Sequence, residues 1–109
     1  MQLVIGNVTL QIKAESSQFI ETESTSFVCL LNGMGASQIK SVSWYKDDLL
    51  INELTMHNAQ LDNLNMRLKL SELSHSKDNG IYHCSVELKN SQIVLSNKIE
   101  LETKCKYFR

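Results

Sequence analysis

Cysteine and histidine have the widest chemical range of the side chains in this sequence of 109 residues. Cys29 and Cys84 lie far apart, and no second cysteine stands close to either of them. A zinc site requires closely spaced ligand pairs, and the three histidines are too scattered to supply them. The spacing therefore predicts no metal site, and it favours a long-range disulfide between Cys29 and Cys84. The alternative is a pair of buried free thiols in a cytosolic domain, because unpaired cysteine packs as a small hydrophobe.

No group of residues has the spacing of a catalytic site. Ser74, His75 and Asp78 have the residue types of a hydrolytic triad, but all three stand in one short segment. The members of a triad converge from distant segments, so this group is interpreted as a polar turn. No glycine-rich sequence of the kind that binds a nucleotide phosphate occurs. The sequence therefore predicts a protein that is not an enzyme and that holds no cofactor.

Charge and hydropathy argue against two further classes of partner. Lysine and arginine number 11 against 12 aspartates and glutamates, which gives a formal net charge of -1. Binding to nucleic acid through phosphates needs a concentrated basic surface, so a nucleic-acid partner is not expected. No apolar run approaches the length of a membrane span, and the N-terminus lacks the pattern of a signal peptide. The composition, with 42% hydrophobic residues, is that of one globular domain.

The elements that must position these residues are short strands. Apolar residues recur at every second position in several stretches, which is the pattern of half-buried strands. These stretches are 8–12, 25–31, 42–44, 66–70, 82–88 and 93–101, and polar turns separate them. The polar stretch 52–65 is predicted to hold a short edge strand. About six to eight short strands separated by turns predict an all-β sandwich or barrel.

Three residues and two short motifs have the spacing of one known family of sandwich domains. Trp44 follows Cys29 at the interval at which, in that family, the indole packs on an inter-sheet disulfide. The segment 78–84 resembles the family signature D-x-G-x-Y-x-C, which is matched at Asp78, Gly80, Tyr82 and Cys84. The run 68–73 is similar to the L-x-I-x-x-L pattern of strand E in that family. These features together resemble the immunoglobulin superfamily, and the resemblance covers nearly the whole chain.

The resemblance implies a fold and a subtype. The fold is an immunoglobulin-like sandwich of two antiparallel sheets with Greek-key connections and one inter-sheet disulfide, Cys29–Cys84. The hydroxyl of Tyr82 is expected to bond back to the backbone as a tyrosine corner. The short interval between the cysteines and a last strand without glycine are similar to the intermediate or C2 type. The interval from Leu73 to Asp78 is one residue longer than usual, which predicts a bulge or a short helical turn, and Asp78 is expected to pair with Arg67.

The resemblance also implies a function. Modules most like this chain belong to cell-adhesion molecules and growth-factor receptors, so a non-catalytic role in adhesion or receptor–ligand binding is expected. The module would lie in the extracellular part of a larger, membrane-anchored cell-surface protein and would not itself enter the membrane. Its partner would be a protein, either a second copy of the chain or a different protein. The alternative is a structural domain of an intracellular muscle or cytoskeletal filament protein, because the fold alone does not determine function.

One face of the predicted sandwich, formed by its C, F and G strands, is the candidate binding surface. Its outward residues are expected to be Ser43, Tyr45, Ile81, His83, Ser85, Glu87 and Val94. Ile93 and Leu95 share the parity of Ile99 and Leu101, and are therefore not among them. Tyr45 and His83 would form an aromatic, amphipathic patch of the kind enriched in interfaces. The alternative is ordinary solvated surface, because single exposed apolar residues are common.

Two features near the ends of the chain complete the expectations. Asn7-Val8-Thr9 is a glycosylation sequon, which predicts a glycan on Asn7. Cys105 is the odd cysteine, and an odd cysteine in a secreted protein suggests an intermolecular bond or a free thiol. Residues 1–104 are assigned to a single domain, and residues 105–109 to a C-terminal tail or the start of a linker.

Overall fold

Nine short strands form two sheets in the computed structural model, which describes residues 8–52 and 55–105. In chain order they are β1 (Thr9–Ala14), β2 (Thr25–Asn32), β3 (Ile39–Lys46), β4 (Leu49–Leu50), β5 (Ala59–Asp62), β6 (Arg67–Leu70), β7 (Gly80–Leu88), β8 (Ile93–Leu95) and β9 (Ile99–Leu101). A 3-10 turn at Ala36–Gln38 precedes β3, and a one-turn helix, α1 (His75–Asp78), precedes β7. Every alternating stretch of the sequence therefore contains a strand, and the predicted edge strand is β5.

The strands are divided between two antiparallel sheets. One sheet has the order β1-β2-β6-β5, and the other has the order β4-β3-β7-β8, with β9 also paired to β7. The chain passes from one sheet to the other between β2 and β3, between β4 and β5, and between β6 and β7. Strands that follow one another in the chain, such as β2 and β3, therefore lie in different sheets and do not form a hairpin. Connections of this kind are those of a Greek key. The predicted all-β, two-sheet sandwich is confirmed.

The core lies where the inward side chains of the two sheets meet. Cys29 of β2 and Cys84 of β7 form a disulfide with their Cα atoms 6.3 Å apart, so the predicted bond between the sheets is confirmed. Trp44 is the cross-strand neighbour of Cys84 and is almost fully buried. Its indole N–H donates a hydrogen bond of 2.7 Å to the backbone oxygen of Asn65. The polar edge of the largest core side chain therefore has a partner, as a buried tryptophan requires.

The turn between β6 and β7 holds a buried carboxylate. Asp78 is fully buried at the end of α1. Its Oδ2 accepts a 2.8 Å bond from the backbone N–H of Ser74, and its Oδ1 accepts a 3.0 Å bond from the amide of Asn58. The hydroxyl of Tyr82 donates to the backbone oxygen of Asp78 at 2.6 Å, so the predicted tyrosine corner is confirmed. Burial, followed by the charges of Asp78 and Asp47, raises the pKa of Tyr82 well above its usual range, and the hydroxyl stays a donor.

The expected pairing of Asp78 with Arg67 is wrong. Arg67 instead places Nη2 2.6 Å from Oε2 of Glu15, on the solvent side of the four-stranded sheet. Asp78 needs no cation, because N–H donors of the turn and of Asn58 satisfy its carboxylate. The helical turn predicted from the longer interval is confirmed as α1, which begins with the hydroxyl of Ser74 accepting from the backbone N–H of Lys77.

Tyr82→Phe is expected to lower the free energy of unfolding by about 0.5–1.5 kcal/mol without changing the fold. The substitution removes one buried hydrogen bond and leaves the backbone oxygen of Asp78 without that donor. Urea denaturation measures the loss, and Tyr45→Phe on the solvent side of the same sheet is the matched control. An unchanged urea midpoint for Tyr82→Phe would show that the corner contributes nothing to stability.

Several expectations concern the ends of the chain and the absence of other sites. Asn7 and residues 106–109 lie outside the described residues, so the glycan and the domain boundary remain predictions. Cys105 is exposed and is not disulfide-bonded to any described residue. Within 8–52 and 55–105, no helix has the length and apolar character needed to traverse a bilayer. The same residues contain no cluster of three or more metal-ligating side chains.

Candidate functional site

The sheet that contains β3 and β7 turns one side to the core and the other to solvent, and the solvent side is here called the outer face. Trp44, Cys84 and Val86 point inward, so their neighbours along each strand point outward. Cross-strand partners share a side of the sheet, which assigns residues on β4 and β8 to the same face. The outer face consists of Ser41, Ser43, Tyr45, Leu50, Ile81, His83, Ser85, Glu87, Ile93 and Leu95, together with Glu100 of β9, the cross-strand partner of Ile81.

The pairing of β7 with the last part of the chain changes register between β8 and β9. Tyr82 is opposite Ile99, and Val86 is opposite Val94. The interval between the paired positions is therefore one residue longer on the β8–β9 side than on β7. One extra residue reverses the side to which every following side chain points. Odd-numbered residues in the two halves of the predicted last strand therefore point to opposite sides of the sheet. Ile93 and Leu95 point outward, and Ile99 and Leu101 point inward.

This change of register makes the assignment of Val94 to the outer face wrong. Val94 pairs with the inward Val86 and packs against the core. Ile93 and Leu95, which were expected on the inner side, face solvent opposite Glu87 and Ser85. The apolar contribution of β8 to the outer face is therefore Ile93 and Leu95, in place of Val94.

Polar side chains hold the irregular segment between β8 and β9 in place. The backbone N–H of Ser96 donates to the oxygen of Cys84, and its hydroxyl accepts from the N–H of Cys84, both at 2.9 Å. The next residue, Asn97, accepts a 3.1 Å bond from the N–H of Ile12 in β1 through Oδ1. These bonds anchor the extra residue to a strand on each side, so the orientation of Ile93 and Leu95 is determined by contacts from distant parts of the chain.

Tyr45 and His83 are brought together as the sequence predicts. They are cross-strand neighbours, and their rings stack with centroids 4.8 Å apart and an interplanar angle of 8°. His83 and Ser85 lie on the outer side of β7, yet each is only 8% exposed. A partner could therefore contact the neighbours of His83 and Ser85 more readily than these two side chains themselves. The contact of His83 with the exposed part of the face is its stack on Tyr45.

A tight turn between β3 and β4 positions the edge of the outer face that lies opposite β8. Asp47 and Asp48 connect β3 to β4 with φ values of 51° and 66°, as a two-residue hairpin turn with two left-handed residues requires. Oδ1 of Asp47 accepts a 3.0 Å bond from the N–H of Ile81, which fixes the turn against β7. The turn brings Leu50 opposite Tyr45, where its side chain extends the apolar part of the face.

Four large apolar residues of the outer face are exposed. The exposed fractions are 63% for Leu95, 57% for Ile93, 56% for Leu50 and 45% for Ile81. They share this side of the sheet with the half-buried ring of Tyr45, the cross-strand neighbour of Leu50, and with the small cross-strand pair Ser43 and Ser85. Apolar side chains around an aromatic residue can bury area against another protein, whereas they provide no nucleophile, proton donor or metal ligand.

The charged groups at the ends of the outer face are paired with one another. Nζ of Lys98 lies 3.4 Å from Oδ1 of Asp48 at one end, and Nζ of Lys40 lies 3.7 Å from Oε2 of Glu87 at the other. Such exposed pairs contribute little to stability, on the order of 0–1 kcal/mol each. Among the described residues, Glu100, opposite Ile81, is a charged residue of this face without an ion pair.

Sequence reasoning identified the centre of this face and missed part of its rim. Leu50, Ile93 and Leu95 were not predicted as outward residues. The Lys-Asp-Asp turn after Tyr45 was a usable signal for Leu50, because a two-residue hairpin places the residues flanking it opposite one another. Ile93 and Leu95 had no such signal, since alternation along the chain cannot locate one extra residue.

Comparison with known proteins supports the same fold. The profile of the immunoglobulin I-set domain matches residues 8–102. The crystal structure of murine CEACAM1b is similar with a TM-score of 0.71 and 20% identity, over 88% of this chain and 44% of that one. The full ectodomain (Ig1–Ig3) of mouse nectin-like molecule 4 is similar with a TM-score of 0.71 and 17% identity, over 94% of this chain and 32% of that one.

A third similar structure comes from outside animals. The three N-terminal domains of the Highly Immunogenic Outer Capsid protein (Hoc) of bacteriophage RB49 give a TM-score of 0.66 and 15% identity. That likeness covers 89% of this chain and 29% of the other, so the chain spans less than half the length of each of these three structures. No curated protein matches the sequence.

At identities of 20% or less, these structures establish the shared fold and leave the partner open. The family match supports a recognition module in general terms, and domains of this family are typically non-catalytic. The family match, the confirmed disulfide beside Trp44 and the tyrosine corner of Tyr82 agree with one another. The chain belongs to the immunoglobulin I-set domain family.

Proposed function

We propose that this chain is an extracellular recognition module that binds a protein partner through the outer face, in adhesion or receptor–ligand binding. The observation that carries the proposal is the set of exposed apolar residues Leu50, Ile81, Ile93 and Leu95 on the same side of the sheet as Tyr45. Single exposed apolar residues are common on protein surfaces, but several on one side of one sheet are typical of an interaction site.

The disulfide supports an extracellular location. Cys29–Cys84 is fully buried between the sheets, and such bonds form and persist mainly in oxidising compartments. An intracellular filament domain of the same fold would carry free thiols at these two positions in a reducing cytosol. The bond therefore favours the extracellular module over the structural filament domain, the alternative left open by the sequence.

The larger protein that would carry this module is part of the proposal. The chain spans less than half of each of the three structures compared above, and two of those structures are animal adhesion-type proteins. A membrane-anchored cell-surface parent would place the outer face where a second copy of the chain or a different protein can reach it. A glycan on Asn7, a residue outside the described ranges, would be compatible with that setting.

Leu95→Asp is expected to reduce binding through the outer face at least tenfold, because a carboxylate would be desolvated in an apolar contact. Tetramers of the full chain supply the avidity needed to detect weak contacts. One arm measures clustering of beads coated with the chain, which reports binding between copies. The other arm measures binding of the tetramers to a panel of cell types, which reports a different partner.

Leu30→Asp is the matched control for this experiment. Leu30 is an exposed leucine on the outward side of β2, in the opposite sheet. Loss of binding with Leu95→Asp and Tyr45→Ala, but not with Leu30→Asp, supports the proposed surface. Equal binding by all three variants would show that the outer face is ordinary solvated surface and that the contact uses the loops or the other sheet.

A further inference from the structure

The imidazole of His83 occupies an unusual position for a titratable group. It lies in the middle of the outer face, yet it is 8% exposed and stacked on the ring of Tyr45. Its Nδ1 is buried and has no hydrogen-bond partner among the described residues. A buried polar atom without a partner is costly, and such atoms are few in native structures.

Charged groups from two other segments act on this ring. Asp48 belongs to the turn between β3 and β4, and Lys98 belongs to the segment between β8 and β9. The two are paired with each other at 3.4 Å, and both influence the imidazole electrostatically. Tyr45 of β3 is the titratable group in ring contact, and Asp47 and Glu100 stand beside Ile81, one step further along the face.

These surroundings favour the neutral form of His83. Burial lowers its pKa below the usual value, the charge of Lys98 lowers it further, and Asp48 partly opposes the shift. A protonated ring would carry N–H donors on both nitrogens, and Nδ1 faces no acceptor. With its pKa lowered in the folded protein, His83 contributes stability that is present above about pH 6.5 and is lost as the pH falls through the folded value.

We propose that His83 is a proton-operated latch of the outer face: the neutral ring holds Tyr45 in a fixed stack at neutral pH, and its protonation at mildly acidic pH releases Tyr45 and weakens partner binding. The inference rests on the proposed function, because it assigns a regulation to the same surface. The physical basis is preorganisation. A tyrosine held by a stack loses little conformational freedom on binding, whereas a released one must be ordered at the moment of contact.

The latch is tested first in the free protein, where no partner is required. Nuclear magnetic resonance of the full chain between about pH 8 and 5 follows the Cε1–H of His83 and the ring protons of Tyr45. The expected result is a midpoint for His83 below that of a histidine in an unstructured peptide, with the Tyr45 resonances moving at the same midpoint. A His83 that titrates as in a peptide, or a Tyr45 ring that does not move with it, overturns the latch.

The second test measures how binding depends on pH. Tetramers of the full chain are bound to the beads or cells described above at about pH 7.4 and pH 5.5, and the ratio of the two signals is compared between variants. We expect a decrease of about fivefold for the natural sequence and a ratio near one for His83→Phe, which keeps an aromatic ring and cannot titrate. Equal ratios for the natural sequence and His83→Phe would contradict the proposed regulation. Binding that Leu95→Asp leaves intact would refute the proposed surface, while the resonance titration still decides whether the latch exists.

Discussion

Replacing Cys29 and Cys84 together with alanine is expected to lower the free energy of unfolding by about 4 kcal/mol, within a usual range of 2–5. The bond links β2 to β7 across the core and closes a long segment of chain. Its loss therefore raises the conformational entropy of the unfolded chain. Urea denaturation with and without the substitutions measures the effect. Cys105→Ser is the control, because Cys105 is exposed and lies outside the core.

Thiol counting checks the bond independently of stability. Alkylation of the denatured, unreduced protein followed by mass spectrometry is expected to label Cys105 alone, because the other two cysteines are bonded. Labelling at Cys29 and Cys84 would contradict the bond. It would also favour the intracellular filament domain, since the extracellular proposal depends partly on this disulfide.

Phe27→Ala is expected to lower the free energy of unfolding by about 3–5 kcal/mol, since it leaves a cavity in a well-packed core. Phe27 is fully buried in β2, with its ring 5.1 Å from that of Tyr82 and 5.9 Å from that of Phe19 between centroids. Its loss therefore removes contacts with the strand that carries the tyrosine corner. Urea or thermal denaturation measures the loss.

The control for this substitution lies on the same strand. Leu30→Ala removes an exposed side chain from the outward side of β2, and it is expected to change stability by roughly 0.5 kcal/mol or less. The contrast tests the alternation itself, because the two residues differ in the side of the sheet to which they point. Similar losses for both variants would mean that the inner and outer sides of β2 are assigned incorrectly.

The core of this protein could be predicted from the sequence because its determinants are local. Period-two alternation directs Cys29, Trp44 and Cys84 to one side of their strands, and the D-x-G-x-Y-x-C spacing brings the hydroxyl of Tyr82 back to Asp78. Each of these relations depends on the interval between residues in one segment or on a repeated family pattern. The two sheets, the disulfide, the helical turn α1 and the central pair Tyr45 and His83 followed from them.

The partners of charged residues could not be predicted in the same way. Asp78 was expected to need Arg67, but its donors are a backbone N–H and the amide of Asn58. Arg67 of β6 pairs with Glu15, which directly follows β1, two strands away in the same sheet. Several carboxylates lie within reach of a long side chain, so only the register of the strands decides which one it meets.

The sequence by itself determined the short strands and the residues that build the core, because alternation within a strand specifies them, and its resemblance to the immunoglobulin family implied the disulfide-linked sandwich. Only the tertiary structure decided what the outer face offers to a partner. The extra residue beside Ser96 turns Ile93 and Leu95 to solvent and Val94 to the core, and bonds from β7 and β1 hold it there. Burial of His83 likewise depends on neighbours from other strands. A side chain's direction follows from its own strand, but its exposure and register follow from contacts with residues far away in the chain.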